Sequence, residues 1–386
     1  MKQIPEKALE NKALPKKLDI IWNVTRICGC YCSICCVDAI QVIKRKNQLA
    51  LISGLRKEKT EYIPATEKIS NIYIEAEREL VKNGIELSFE RKLQVLDHLK
   101  GMDVKIDFSG GDPLLLPDTV ILIRKASESF GKDNVTLTST GGGLLKVHLP
   151  DLTPYIGELN FTYDSPNARH LQYRERGYTN KTLTVIREIA KSGVKTRGEM
   201  PLSRKNVDED SLRIVYEELH DANVDKLLIM RLFPSGRCSE ERADPLTREE
   251  YLKAITFLKE LEAKYEKPKI RLQCALRYIW NQDVKENPCD LVSRSFGLTP
   301  LGKLLASPWA IGINGEVVDS QFFLGDLSKQ PIREILEGER VQYFLKRKDD
   351  NFGHCKMHAY YANPKEKDSC FHQTDSLYES VVALEK

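Results

Sequence analysis

No uncharged apolar run in this sequence approaches the roughly 18 residues that a membrane helix needs. Its opening, MKQIPEKALENKALPKKLD, contains no apolar segment of the signal-peptide kind. Neither a membrane partner nor secretion is expected, and the reading is cytoplasmic. An excess of charge of either sign is also missing: 59 Lys and Arg against 56 Asp and Glu leave +3. That balance gives no global electrostatic argument for a nucleic-acid partner or a membrane surface, and none is expected. Histidine is scarce, at seven in 386 residues. His170, His354, His358 and His372 are candidate ligands or surface residues, surface being the default.

Cysteine is abundant, with ten in the chain. In a chain read as cytoplasmic, metal or redox chemistry explains them better than disulfides, because the cytosol keeps thiols reduced. The hydrophobic content of 41% suits a soluble globular protein of one large or two ordinary domains. The cysteines concentrate in CGCYCSICC, residues 28–36, directly after the β-like run LDIIWNVT. Only Cys28, Cys32 and Cys35 satisfy C-x3-C-x2-C; Cys30 and Cys36 are surplus. Three thiolates on a loop at a strand end would leave one iron of a four-iron cluster open to an external ligand. A partial zinc site and a chance product of cysteine richness remain alternatives at this point.

Downstream the chain alternates. Apolar strand-like runs at 18–25, 104–108, 135–138, 159–163, 194–200 and 226–231 are mostly separated by helix-like stretches, which argues a parallel sheet with crossover helices. Ligand sites in such folds gather at the carboxyl ends of the strands. Those ends carry, in order, the cysteines, SGGDP (109–113), STGGG (139–143), DSPN (164–167), PLS (201–203) and FPSGR (233–237). A charged interval, 37–87, precedes the second run. Ile69, Ile72, Tyr73, Ala76 and Leu80 give part of it helical spacing, and residues 44–59 read as a solvated loop or helix face. A sharper reading of 44–59 is a lid or recognition element for an acidic substrate. From Leu87 a helix is expected, with Ser88 as N-cap and Leu93, Leu96 and Leu99 as its apolar stripe.

Taken together, C-x3-C-x2-C after the first strand and Gly110-Gly111-Asp112-Pro113 after the second resemble the radical S-adenosylmethionine (SAM) enzyme superfamily. The second motif looks like its GGEP-type sequence, with Asp112 where Glu is commoner. The resemblance covers about residues 18–237. It implies an α/β fold, a partial (β/α)6 TIM-type barrel, and a [4Fe–4S] cluster on Cys28, Cys32 and Cys35 whose fourth iron binds SAM. It implies reductive cleavage of SAM to a 5′-deoxyadenosyl radical that takes hydrogen from a substrate, chemistry that needs no Ser/His/Asp arrangement. By carry-over, Gly110, Gly111, Asp112 and Pro113 receive the SAM amino group through the backbone. Ser139, Asp164 and Ser203 lie where the family often contacts ribose and carboxylate. Arg231 lies where polar side chains of the sixth strand face the pocket. Tyr31 and Ile34 in the cysteine loop are assigned to cofactor binding, Ile34 replacing a commoner aromatic residue.

The C-terminal third has Cys274, Cys289, Cys355 and Cys370, hairpin-like alternation over 296–325 and a helix expected over 331–347. This order resembles the SPASM or shorter twitch extensions that carry auxiliary clusters. The match is incomplete: Cys289-x12-Gly302-x4 ends on Ser307, Gly315-x4 ends on Ser320, and Cys355-x2 ends on His358. One auxiliary [4Fe–4S] cluster on the four cysteines is the preferred reading. Ordinary buried cysteines and a zinc site on Cys355, His358 and Cys370 are the alternatives, and Cys238 stays unassigned. The expected organisation is an N-terminal lead (1–17), a core barrel (18–240) with a charged helical insertion (37–87), a helical linker (241–270) and a small α+β extension (271–386). The leading function is a maturase of a peptide or protein, served by an electron donor such as flavodoxin or ferredoxin. A dehydrogenase of a small molecule is the alternative, and a non-enzymatic zinc-binding protein a distant one. Since only residues 1–17 precede the first strand, an N-terminal winged-helix peptide-recognition domain is not expected.

Overall fold

The computed structural model describes residues 14–65, 70–166, 178–243 and 246–378. Ile69, Asn167 and His170 of the sequence reading lie outside them. The strands are β1 (Leu18–Thr25), β2 (Ile27–Cys28), β3 (Ile40–Arg45), β4 (Gln48–Ser53), β5 (Lys59–Pro64), β6 (Val104–Gly110), β7 (Val135–Thr138), β8 (Glu158–Thr162), β9 (Lys195–Leu202), β10 (Lys226–Arg231), β11 (Lys269–Leu272), β12 (Ser295–Leu298), β13 (Lys303–Leu305) and β14 (Phe323–Asp326). One sheet runs β11-β10-β9-β8-β7-β6-β1-β12-β13-β14, and a separate sheet runs β2-β3-β4-β5. Every pairing from β11 to β12 is parallel, while β12–β13 and β13–β14 are antiparallel. The sheet stays open at β11 and β14, a partial barrel as expected.

Period-two alternation decides which side chains form the core and which face the site. In β1, Leu18, Ile20, Trp22 and Val24 are buried under the helices, while Ile21 and Asn23 border a central cavity. In β6, Val104, Ile106 and Phe108 pack outward and Asp107 and Ser109 face the cavity; in β9, Met200 and Leu202 pack outward and Arg197, Glu199 and Pro201 line it. Trp22 and Phe108 meet at 5.7 Å between ring centroids, and each large apolar side chain so buried contributes about 1.5–3 kcal/mol.

The structure departs from the sequence reading in several elements. The interval 37–87 holds its expected helix, Ile72–Lys82, but three strands precede it: β3 and β4 form an antiparallel hairpin closed by Lys46 and Asn47, and β5 adds to β4. Its strands bury Ile40, Val42, Leu49, Leu51 and Ile63 in a second core with Ala76 and Leu80 of the helix Ile72–Lys82. The charges of 44–59 hid this, because Lys44, Arg45 and Lys46 cluster at the turn and mask a strand pair buried on both sides of it. The helix expected over 331–347 is two, Ile332–Leu336 and Glu339–Lys346, broken at Gly338, which stands as the N-cap of the second. Ser88 occupies the N-cap position of Phe89–His98 without a side-chain hydrogen bond to the backbone. After the helix Arg248–Tyr265, β11 continues the parallel order beside β10. On the other side, β12 pairs with β1, Trp22 opposite Leu298. Among the described residues no helix is long and apolar enough to cross a membrane.

Candidate active site

The pairing of β1 with β6 shifts register between Asn23 and Thr25, opposite Gly110. Gly110 has φ +121°, and a Cβ there would fall on the carbonyl oxygen of Thr25; one on Gly111 would fall on that of Ile27. Only glycine permits such approach. The close contact lies within the chain: Gly111 N donates to Thr25 O at 2.8 Å and Asp112 N to Ile27 O at 2.8 Å. The end of β6 is thereby seated on the backbone that leads into Cys28. Cys28, Cys32 and Cys35 line one cavity of about 270 Å³ together with Gly110, Gly111, Ser139 and Arg231, and Cys30 and Cys36 reach it too.

Asp112 does not line this cavity. Its carboxylate, fully buried, accepts from Ser139 Oγ at 2.7 Å, Gly143 N at 2.8 Å, Leu114 N at 3.3 Å and Thr140 Oγ1. Burial raises its pKa against those hydrogen bonds. Asp112 therefore shapes the loop after β7, and Gly143 leaves room for it, since a Cβ there would strike the carboxylate. Pro113 is buried beside it. Asp164 and Ser203 also stand off the cavity, joined by Asn206: its Nδ2 donates to Asp164 O at 3.0 Å, and its Oδ1 accepts from Ser203 N at 2.7 Å. Tyr31 turns away from the cavity, where its hydroxyl donates to Gly54 O at 2.6 Å and accepts from Lys57 N at 2.8 Å. Ile34, buried, lines the cavity and packs on Cys238.

Sequence reasoning missed the clamp on the cysteine loop. Asp38, fully buried, accepts from Arg26 Nη2 at 3.0 Å, Arg237 Nη1 at 2.7 Å, Gly54 N at 2.9 Å and Asn314 N at 2.8 Å. Four distant segments thus meet on one carboxylate. Gly236, with φ +51°, lies so close to Cys35 and Cys36 that a Cβ would stand 2.6 Å from Cys35 O. Its presence in FPSGR was the local signal available, although charge burial is not written in local sequence. Thr25 and Arg26 are fixed from the other side by Glu86, which accepts from Thr25 Oγ1 at 3.0 Å and Arg26 N at 2.6 Å.

Deeper in the cavity the strands present a polar floor. Asp107 accepts from Thr138 Oγ1 at 2.9 Å and Asn160 Nδ2 at 3.0 Å, and Arg197 Nη2 donates to Glu199 Oε1 at 3.0 Å. Desolvation, reinforced by Glu199 and opposed by Arg197, pushes the Asp107 pKa up to about 7. Apolar walls come from Leu228, Met230, Phe233 and Trp309, the last two rings stacked at 4.1 Å. Arg231 borders the cavity but is held by Asp375 in a two-pronged pair at 2.6 and 2.8 Å. Against the effect of burial, the guanidinium keeps the Asp375 carboxyl well below the usual carboxylate range.

Asp375 also accepts from Cys355 N at 3.0 Å, which ties this wall to the C-terminal cysteines. Cys289, Cys355 and Cys370 are buried and Cys274 half-buried. Cys289 lies near enough to each of the other three that its ionisation would raise their pKa values further. Burial pushes Cys355 and Cys370 up to about 12 and Cys274 well above its usual value. Among the described residues no three His, Cys, Asp or Glu side chains close on a single metal ion. An iron–sulfur cluster does not demand that, because each thiolate takes its own iron.

The Radical SAM superfamily profile matches residues 22–216. SuiB of Streptococcus suis bound to its precursor peptide SuiA is similar over 95% of this chain and 76% of its own, at 11% identity and TM-score 0.60. The same protein bound to S-adenosylmethionine is similar over 94% and 78%, at 11% identity and TM-score 0.61. Native anSMEcpe with bound AdoMet is similar over 96% of both chains, at 13% identity and TM-score 0.57. At these identities the likeness is one of fold. No curated protein matches the sequence.

Proposed function

The chain belongs to the radical SAM superfamily and is an enzyme of that class, and we propose that Cys28, Cys32 and Cys35 hold its [4Fe–4S] cluster with SAM beside Gly110 and Gly111. The supporting observation is that these thiols and both glycines border one cavity at the ends of β1 and β6. The donor set fits: three thiols after one strand, with glycine backbone opposite. The cluster and SAM supply one-electron cleavage of SAM and hydrogen abstraction. The chain's own residues orient and enclose. Asp38 and Arg237 fix the cysteine loop, Asp112 fixes the loop of Ser139, and Phe233, Trp309 and Met230 keep water from the cavity wall.

We assign Cys274, Cys289, Cys355 and Cys370 to one auxiliary cluster in a SPASM- or twitch-like extension; the burial of Cys289, Cys355 and Cys370 and the electrostatic influence of Cys289 on the other three support this. Flavodoxin or ferredoxin would deliver the electron. The substrate is assigned as a peptide. Support comes from the fold likeness to SuiB, whose structure holds a precursor peptide, along 95% of the chain. A small molecule is the second reading, favoured by the modest cavity with its polar floor of Asp107, Arg197 and Glu199. Short peptides encoded beside the gene, incubated with reconstituted enzyme, SAM and dithionite, should change mass. If none changes while SAM is cleaved, the small-molecule reading takes its place.

A further inference from the structure

Arg237 is 2% exposed and borders the cavity that Cys28, Cys32 and Cys35 line. Its main-chain N donates to Cys35 O at 2.9 Å, Nε to Cys32 O at 2.9 Å, and Nη1 to Asp38 Oδ1 at 2.7 Å and Ala39 O at 2.6 Å. The Tyr31 ring covers the guanidinium at 4.4 Å. Among the described residues only its Nη2, equally buried, has no hydrogen-bond partner. Buried donors are rarely left so, and an arginine cannot shed its charge to escape. Burial disfavours that charge, yet Cys35 and then Asp38 hold the Arg237 pKa above its usual value. The orphan donor therefore sits on a cationic group fixed against the backbone carbonyls of Cys32 and Cys35, at the cavity that Cys35 also lines.

We propose that Arg237 Nη2 donates a charged hydrogen bond to the Cys35 sulfur once that thiolate holds iron, raising the reduction potential of the SAM-binding cluster. The inference rests on the cluster assignment above. Adding an electron makes the cluster more negative. A buried cation at a ligand sulfur stabilises the reduced form more than the oxidised one, as hydrogen bonds to cluster sulfurs do in general. Arg237 is on this account a positioning and tuning residue, not one that touches substrate.

The test is a redox titration followed by electron paramagnetic resonance on reconstituted wild type, Arg237→Lys and Arg237→Gln, reading only the signal that SAM perturbs. At the potential that half-reduces the wild-type cluster, the reduced-to-oxidised ratio should fall about tenfold in Arg237→Gln, which is about 59 mV for one electron. Arg237→Lys, which keeps the charge, should fall less. An unchanged midpoint in an iron-replete Gln variant overturns the proposal. If the Gln variant does not load iron, wild type grown with arginine labelled by ¹⁵N in the guanidinium decides. Pulsed resonance of its reduced cluster should show a ¹⁵N coupling that Arg237→Lys lacks, and no such coupling overturns the proposal. Wild type without any SAM-perturbed signal would instead overturn the cluster assignment beneath it.

Discussion

Replacing Asp38 with Ala probes the clamp where its energetics are concentrated. The carboxylate is fully buried and receives two guanidinium groups, Arg26 at 3.0 Å and Arg237 at 2.7 Å, with two backbone N–H groups at 2.8 and 2.9 Å. Removing it leaves two buried cations facing each other without their counter-charge. Loss of one partner from a buried pair costs about 3–5 kcal/mol, and the stranded N–H of Gly54 and Asn314 add roughly 1–3 kcal/mol each where water cannot reach them. Neither Arg26 nor Arg237 can shed its charge to relieve the repulsion. The lower ends of these figures sum to about 5 kcal/mol, which is the loss expected where water reaches part of the vacated space. With unfolding entropy near 2.1 cal/mol/K per residue, a chain of this length shifts by about 1–1.5 °C per kcal/mol, so Tm should drop by roughly 5–8 °C. Thermal melts of the metal-free protein followed by circular dichroism measure this without any cofactor. A drop under about 1 °C would refute the reasoning, because it would mean that the carboxylate does not hold the four segments together.

Three further outcomes follow from other contacts. Gly111→Ala, whose new Cβ would collide with the Ile27 carbonyl, should displace the end of β6 from the cysteine loop and cut iron incorporation and 5′-deoxyadenosine formation at least tenfold; wild-type values for both would contradict the seating of β6. Asp107 has a raised folded pKa, about 7, so its unfolded form gives up the proton first and its burial costs stability progressively as pH rises from about 4 to 7. Asp107→Asn should therefore gain on wild type by about 1–3 kcal/mol in that window, trimmed because the carboxylate borders the open cavity, and chemical denaturation at pH 5 and pH 8 would show the same gap between the two proteins if folding left the Asp107 pKa unshifted. The exposed hairpin-turn cations Lys44, Arg45 and Lys46, changed together to Gln, should leave SAM cleavage intact and weaken binding of an acidic peptide; unaltered affinity would make the turn a solvated appendage. Deleting 44–59 is unsuited to that question, since it removes Leu49 and Leu51 from the second core.

Much of the scaffold was legible because it repeats. Each of the six expected strands is an apolar run, and all six lie side by side as β1, β6, β7, β8, β9 and β10. The cysteine spacing and the Gly110–Gly111 pair were legible for the same reason, being compact in sequence. What escaped depends on partners far apart in the chain. Asp38 and Arg237 read as ordinary charges until the fold brings them to 2.7 Å. Arg231 looked free to face a ligand, yet Asp375 holds it. Asn206, which joins Asp164 to Ser203, had no motif around it. The hairpin β3–β4 was concealed by charges at its turn, where polarity is what a turn requires and says nothing of the strands beside it.

The central claim is that Cys28, Cys32 and Cys35 hold the cluster that cleaves SAM. Anaerobically reconstituted wild type, given SAM and dithionite, should produce 5′-deoxyadenosine, and the triple change of these residues to Ala should abolish it while the C-terminal cysteines still retain iron. Cleavage at the wild-type rate in the triple variant would contradict the account.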